Sequence, residues 1–150
     1  MTEHKDDITA LNTLTATTID SVKGYEDAAS NSEAGRFQEI FRNRASERQQ
    51  VVEQLRSEVR RLGGDPENDG SFMGATHQRF LDLKAAVTGR DDQAIINEVE
   101  RGEDYIKGKF ETALEHLSGE SRSVVESCYQ SIKQGHDQIS QIKHGLEASA

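Results

Sequence analysis

The sequence predicts an all-α protein: an antiparallel four-helix bundle built from two helical hairpins, with a short extra helix in the long crossover between them. Three observations carry this. Apolar residues recur at spacings of three and four along four stretches of about 25 to 30 residues, and no stretch shows the period of two that a half-buried strand requires. Pro66 is the single proline, so the backbone is almost everywhere free to be helical. The breaks near Ser32 and Ser118 are short, whereas the one between them, from Gly63 to Asp91, is long.

The first segment runs over residues 6–30, where Ile8, Leu11, Thr15, Ile19, Val22, Tyr25 and Ala29 share one face. Asn31 and Ser32 then supply a break and a cap. The second segment covers 33–62, with Phe37, Phe41, Val51, Leu55, Val59 and Leu62 inward. Arg60 and Arg61 followed by Gly63 and Gly64 are stop signals, because cations suit the negative end of a helix dipole and glycine accepts the left-handed cap. The third, shorter helix is predicted over 72–88, placing Met73, His77, Phe80, Leu81 and Lys84 on one face. Asp91 or Asp92 caps the next helix, 92–117, whose stripe is Ile95, Val99, Ile106, Phe110, Ala113 and Leu117. After a turn at Ser118-Gly119 the last helix covers 120–146, with Val125, Cys128, Ile132, Ile139, Ile142 and Leu146 inward. Short loops make antiparallel neighbours, and two hairpins joined by one long crossover is the ferritin-like plan. All 150 residues are expected to form a single domain.

Composition excludes several functions. Hydrophobic residues are 33% and charged residues 30%, so narrow apolar stripes must alternate with solvated faces. A formal net charge of -9 argues against a nucleic-acid backbone or an anionic membrane surface as partner. No run reaches the roughly 20 apolar residues of a membrane span. The first residues, Met1 to Asp7, lack an apolar signal core, so the predicted location is cytoplasmic. Cys128 is the sole cysteine, which rules out an intrachain disulfide. It lies at helical spacing between Val125 and Ile132 and reads as a small buried residue.

Several short motifs carry a resemblance. They are Val59-Arg60-Arg61-Leu62-Gly63-Gly64-Asp65-Pro66, Gly74-Ala75-Thr76-His77 with Asp82-Leu83-Lys84 and Gly89, and Glu100-Arg101-Gly102-Glu103-Asp104. With Thr18-Ile19-Asp20 and Gly24-Tyr25, the chain resembles, over essentially its whole length, the ferritin-like four-helix-bundle proteins of the DUF2383 family. The resemblance implies that fold, a bacterial origin and a stress-related context, but no established reaction.

Ferritin-like di-metal sites draw a Glu from each of two helices and Glu-x-x-His from each of the other two. Carboxylate and imidazole ligands of this kind hold iron or manganese. The second helix offers Glu47-Arg48-Gln49-Gln50, with glutamine where histidine is wanted. The last offers Lys133-Gln134-Gly135-His136, with lysine where a carboxylate is wanted. The first helix has no Glu at the required depth. Glu47, Glu100, Glu103 and His136 are therefore the candidate metal ligands. The competing reading is a buried polar network of Arg44, Arg48, Glu103, His136 and His77, since Arg44 and Arg48 fall on the stripe between Phe41 and Val51, where a charge must be paired. Glu103 is expected to meet Arg48, and His136 to contact Glu103.

Two functions remain open. The first is a non-catalytic, stress-associated bacterial bundle that works by association with itself or a protein partner and carries a degraded ferritin-type metal site. Phe72, Met73 and Phe80 of the crossover are its candidate contact surface. The second is a ferritin-like protein or oxidase of the oxidative-stress response that binds iron or manganese at Glu47, Glu103 and His136. No residue is assigned a catalytic role, because no nucleophile elbow, phosphate loop or paired-cysteine motif is present. Association is expected ahead of catalysis.

Overall fold

A computed structural model of the chain describes residues 2–32, 34–69 and 92–149. The predicted crossover helix, with Phe72, Met73, His77 and Phe80, lies outside the described residues. Among the described residues there are four helices: α1 (Thr2–Asn31), α2 (Gly35–Arg61), α3 (Asp92–His116) and α4 (Gly119–Ser149). No strand occurs among the described residues, and none of the described helices is long and apolar enough to cross a membrane.

The helix ends follow the predicted chemistry at one turn and depart from it at another. Arg60 and Arg61 occupy the last turn of α2, and Gly63 follows with φ at +86°, a conformation that would strain a residue with a Cβ. The Gly64 N–H closes this cap onto the Val59 carbonyl at 2.9 Å. Between α1 and α2, however, Asn31 and Ser32 do not cap the second helix. Their side chains donate back to the Asp27 and Ala28 carbonyls of α1, each at 2.8 Å. Ala34 takes the N-cap position of α2 without a side-chain cap, and its N–H donates to the Asp92 carboxylate at the start of α3 (3.3 Å). A contact between hairpins thus replaces the local cap read from sequence.

The α1–α2 and α3–α4 hairpins each pack antiparallel along their length, and they meet through α1 against α3 and α2 against α4. Around the bundle the order is therefore α1, α2, α4, α3, with α2 and α3 facing each other across the centre. The core between them falls into two apolar halves. One holds Tyr25, Phe37, Phe41, Ile95, Ile96, Val99 and Ile139. The other holds Leu11, Leu14, Val51, Leu55, Val59, Ile106, Phe110, Val125, Cys128 and Ile132. Most of the predicted stripe residues are in these two sets.

Helix α1 departs from its predicted face. Ile19 and Val22 are only half-buried, while Thr18 and Ser21 are buried. Threonine can be buried here because its hydroxyl is satisfied within the helix: Thr15 donates to the Leu11 carbonyl and Thr18 to the Leu14 carbonyl, each at 2.7 Å. Between Leu14 and Tyr25 the buried side chains are therefore mainly polar: Thr15, Thr17, Thr18, Asp20 and Ser21.

Replacing Leu55, which has no exposed surface, with Ala is expected to cost about 2–5 kcal/mol in urea unfolding, while replacing the exposed Gln50 with Ala should stay within about 0.5 kcal/mol.

Candidate functional site

Between the two apolar halves the stripe of every helix is interrupted by polar or small residues, and the interruptions meet at one depth. Helix α1 brings Ser21 and Tyr25, α2 brings Arg44 and Arg48, α3 brings Glu103, and α4 brings Gly135. Arg48 has no exposed surface and Glu103 is 2% exposed. The Arg48 guanidinium reaches diagonally from α2 to α3. It donates from Nη1 to Glu103 Oε1 at 2.9 Å and from Nη2 to Glu103 Oε2 at 2.7 Å. Nη1 also donates to Ser21 Oγ at 2.8 Å, and the Tyr25 hydroxyl donates to Glu103 Oε1 at 2.7 Å. The Tyr25 ring lies 5.5 Å from the guanidinium carbon, close enough for a cation–π contact.

The electrostatics of the layer follow from its burial. Desolvation opposes a charge on Arg48, but the Glu103 carboxylate more than offsets this and raises its pKa above the ordinary arginine value. Burial, and then the adjacent Glu103 charge, hold the Tyr25 phenol well above its usual range, so it keeps its proton and acts as a donor. A paired guanidinium fork suits a planar carboxylate, which a lysine could not match with two parallel bonds.

Gly135 makes the room. A Cβ built there would stand 2.5 Å from Arg48 Nη2 and 3.1 Å from Arg44 Cδ and Nε. Arg44 lies one turn before Arg48, 8% exposed, and donates to Glu47 at 2.6 Å and to Gln138 of α4 at 2.5 Å.

Arg44, Arg48 and Glu103 thus gather at the centre, while His77 falls outside the described residues. His136 does not reach the layer. The expected Glu103–His136 contact is not formed, for two reasons. Both Glu103 oxygens are already taken by Arg48, and Gly135, not His136, holds the inward position between Ile132 and Ile139. One residue further round the helix, His136 sits at the rim of the α3–α4 pair. Its Nε2 lies 2.7 Å from Asp104 and its Nδ1 3.3 Å from Asp137. Partial burial disfavours the imidazolium, yet the two carboxylates outweigh it and raise the His136 pKa above its ordinary value.

The same positions decide how well the residues fit a di-metal centre. Glu47 binds Arg44, Glu100 receives Lys143 Nζ at 2.7 Å, and Glu103 is held by Arg48. His136 faces Asp104 and Asp137. Each candidate carboxylate is already neutralised by a cation, and a guanidinium stands at the centre. The candidates do not converge: among the described residues no group of three or more His, Cys, Asp or Glu side chains is arranged to hold a metal. The residues do not fit a ferritin-type ligand set.

A second buried carboxylate escaped the sequence reading. Glu58 is 3% exposed near the end of α2. It accepts from Arg61 Nε and Nη2 at 2.8 and 2.6 Å and from Ser121 Oγ of α4 at 2.6 Å. The Arg61 hydrogen bonds hold its pKa below the ordinary carboxylate value. Arg61 three residues after Glu58 was the available signal, since that spacing places both on one side of a helix. Cys128 is buried as expected. Its pKa is pushed up to about 11 by burial, so the thiol is not primed as a nucleophile.

These features define an all-helical four-helix bundle whose core is divided by a buried, charge-paired polar layer. The chain belongs to the family described as Domain of unknown function (DUF2383), which it matches over residues 6–116. That stretch contains most of α1 and all of α2 and α3, and so Arg48 and Glu103; Gly135 and His136 of α4 lie beyond it. No curated protein matches the chain.

Glycine to alanine normally stabilises a helix interior by about 1 kcal/mol. Gly108→Ala in α3, where a Cβ meets nothing within 4 Å, should show that gain in thermal unfolding. Gly135→Ala should have the opposite sign and cost about 1–3 kcal/mol, because Arg48 and Arg44 must shift. The His136 ion pairs behave differently with pH. The folded-state pKa is raised, so their contribution is complete below the unfolded value of about 6.5 and is lost as pH rises through the folded value. Both carboxylates are exposed, so the effect is about 0.2–1 kcal/mol. Wild type should therefore exceed His136→Gln in stability at pH 6 and match it at pH 9, as measured by denaturant midpoints.

Proposed function

We propose that this is a non-catalytic, stress-associated bacterial protein of the cytoplasm that works by association, with itself or with a protein partner, and not by metal chemistry. The observation that carries the reading is the state of the acids. Glu47, Glu100 and Glu103, the carboxylates a metal would need, are each engaged by Arg44, Lys143 and Arg48. A metal ion at the centre would have to displace a buried guanidinium and leave that charge unpaired. Among the described residues, the phenol of Tyr25 and the thiol of Cys128 are both held protonated, so neither is primed as a base or nucleophile. The stress association and the bacterial setting rest on the family resemblance alone.

Association draws support from apolar surface that the bundle leaves partly uncovered. Ile40, Ile142 and Leu146 are half-buried along a groove between the start of α2 and the end of α4.

The test combines elemental analysis with sedimentation equilibrium on untagged protein. After incubation with ferrous iron or manganese and desalting, metal content should stay near zero, and the mass should rise with concentration or on addition of a captured partner. About two ions per chain would overturn the reading in favour of a di-metal protein. A strictly monomeric chain with no recoverable partner would remove association.

A further inference from the structure

Apolar packing alone leaves the pairing of the two hairpins underdetermined. Burial of apolar surface is non-directional. The stripes repeat at three and four residues, so sliding one hairpin by a helical turn, about 5.4 Å, would bring apolar residues against apolar residues again.

The central layer breaks this degeneracy. We propose that the Arg48–Glu103 pair, seated against Gly135, is a pairing key that admits the α1–α2 hairpin onto the α3–α4 hairpin in one register, and so keeps the two hairpins from slipping. The contacts are directional and spread over all four helices. Arg48 on α2 takes both oxygens of Glu103 on α3, Ser21 and Tyr25 on α1 take the remaining positions, and α4 supplies a residue without a Cβ. One turn away the stripe of α3 presents Val99 or Ile106, and that of α4 presents Ile132 or Ile139, all buried. A slip of one turn would therefore set the Arg48 guanidinium against branched aliphatic side chains, buried and without its carboxylate. The inference does not rest on the proposed mode of action, since it concerns how one chain is put together.

Two full-length variants test it, each compared with wild type by amide NMR spectra and by denaturant unfolding. Arg48→Met alone strands Glu103 and should lower the unfolding midpoint sharply. The double variant Arg48→Met/Glu103→Leu removes both charges and should recover the midpoint. It should also show more than one amide resonance for residues flanking the layer, such as Val99 and Ile132. A double variant with a single set of resonances would overturn the proposal, because the register would then be set without the key. So would a double variant that fails to fold, because the layer would then supply stability and not selection. An unchanged midpoint for Arg48→Met would overturn it as well.

Discussion

A guanidinium with no exposed surface sits at the middle of this bundle, and its charge is tolerable there only because Glu103 meets it with both oxygens. Taking two ions out of water costs several kcal/mol each, and their attraction repays this only with close, well-aligned geometry. That demand propagates outward. Tyr25 and Ser21 must present hydroxyls, α4 must come close without a side chain at position 135, and α2 and α3 must face each other across the bundle. The two apolar halves then occupy what space is left on either side.

The layer also explains why the acids among the described residues do not gather into a ferritin-type ligand set. In a carboxylate-bridged site the cations are the metal ions and the helices supply anions. Here the helices supply both signs: Arg48 to Glu103, Arg44 to Glu47, Lys143 to Glu100. A similar economy appears at the far end of α2, where Glu58 is shared between Arg61 and Ser121. Buried ion pairs of this kind are a weak source of net stability, since apolar residues of equal volume often do as well. What they add is direction, which leucine and isoleucine contacts lack.

Much of this was legible in the sequence. The stripes of α2 and α3 were found almost residue for residue, and the gap in them marked Arg44, Arg48 and Glu103 as inward charges needing partners. The reading failed where a residue's type hides its environment. Ile19 and Val22 look like core, yet Thr18 and Ser21 took those places, because a hydroxyl that bonds its own helix or receives Arg48 can be buried as readily as a methyl group. His136 looked like an inward ligand because it falls at helical spacing between Ile132 and Ile139. Gly135 faces the centre instead, and a glycine carries no hydrophobic signal of its own.

The sequence by itself determined the four long helices, their approximate lengths, their antiparallel pairing within each hairpin and the presence on their inner faces of charges that need partners. These are local properties, set by periodicity, caps and chain connectivity. Only the tertiary structure decided that Ser21 and Tyr25 of α1 complete the Arg48–Glu103 pair expected from sequence, that Asn31 and Ser32 bond backward while Asp92 serves the start of α2, and that α2 and α3 lie diagonally opposed. Those choices depend on how one hairpin is rotated and shifted against the other, by distances of a few ångströms that no periodicity records. Arg48 reaches Glu103 because 55 residues of chain return it to the same depth on the opposite side of the bundle.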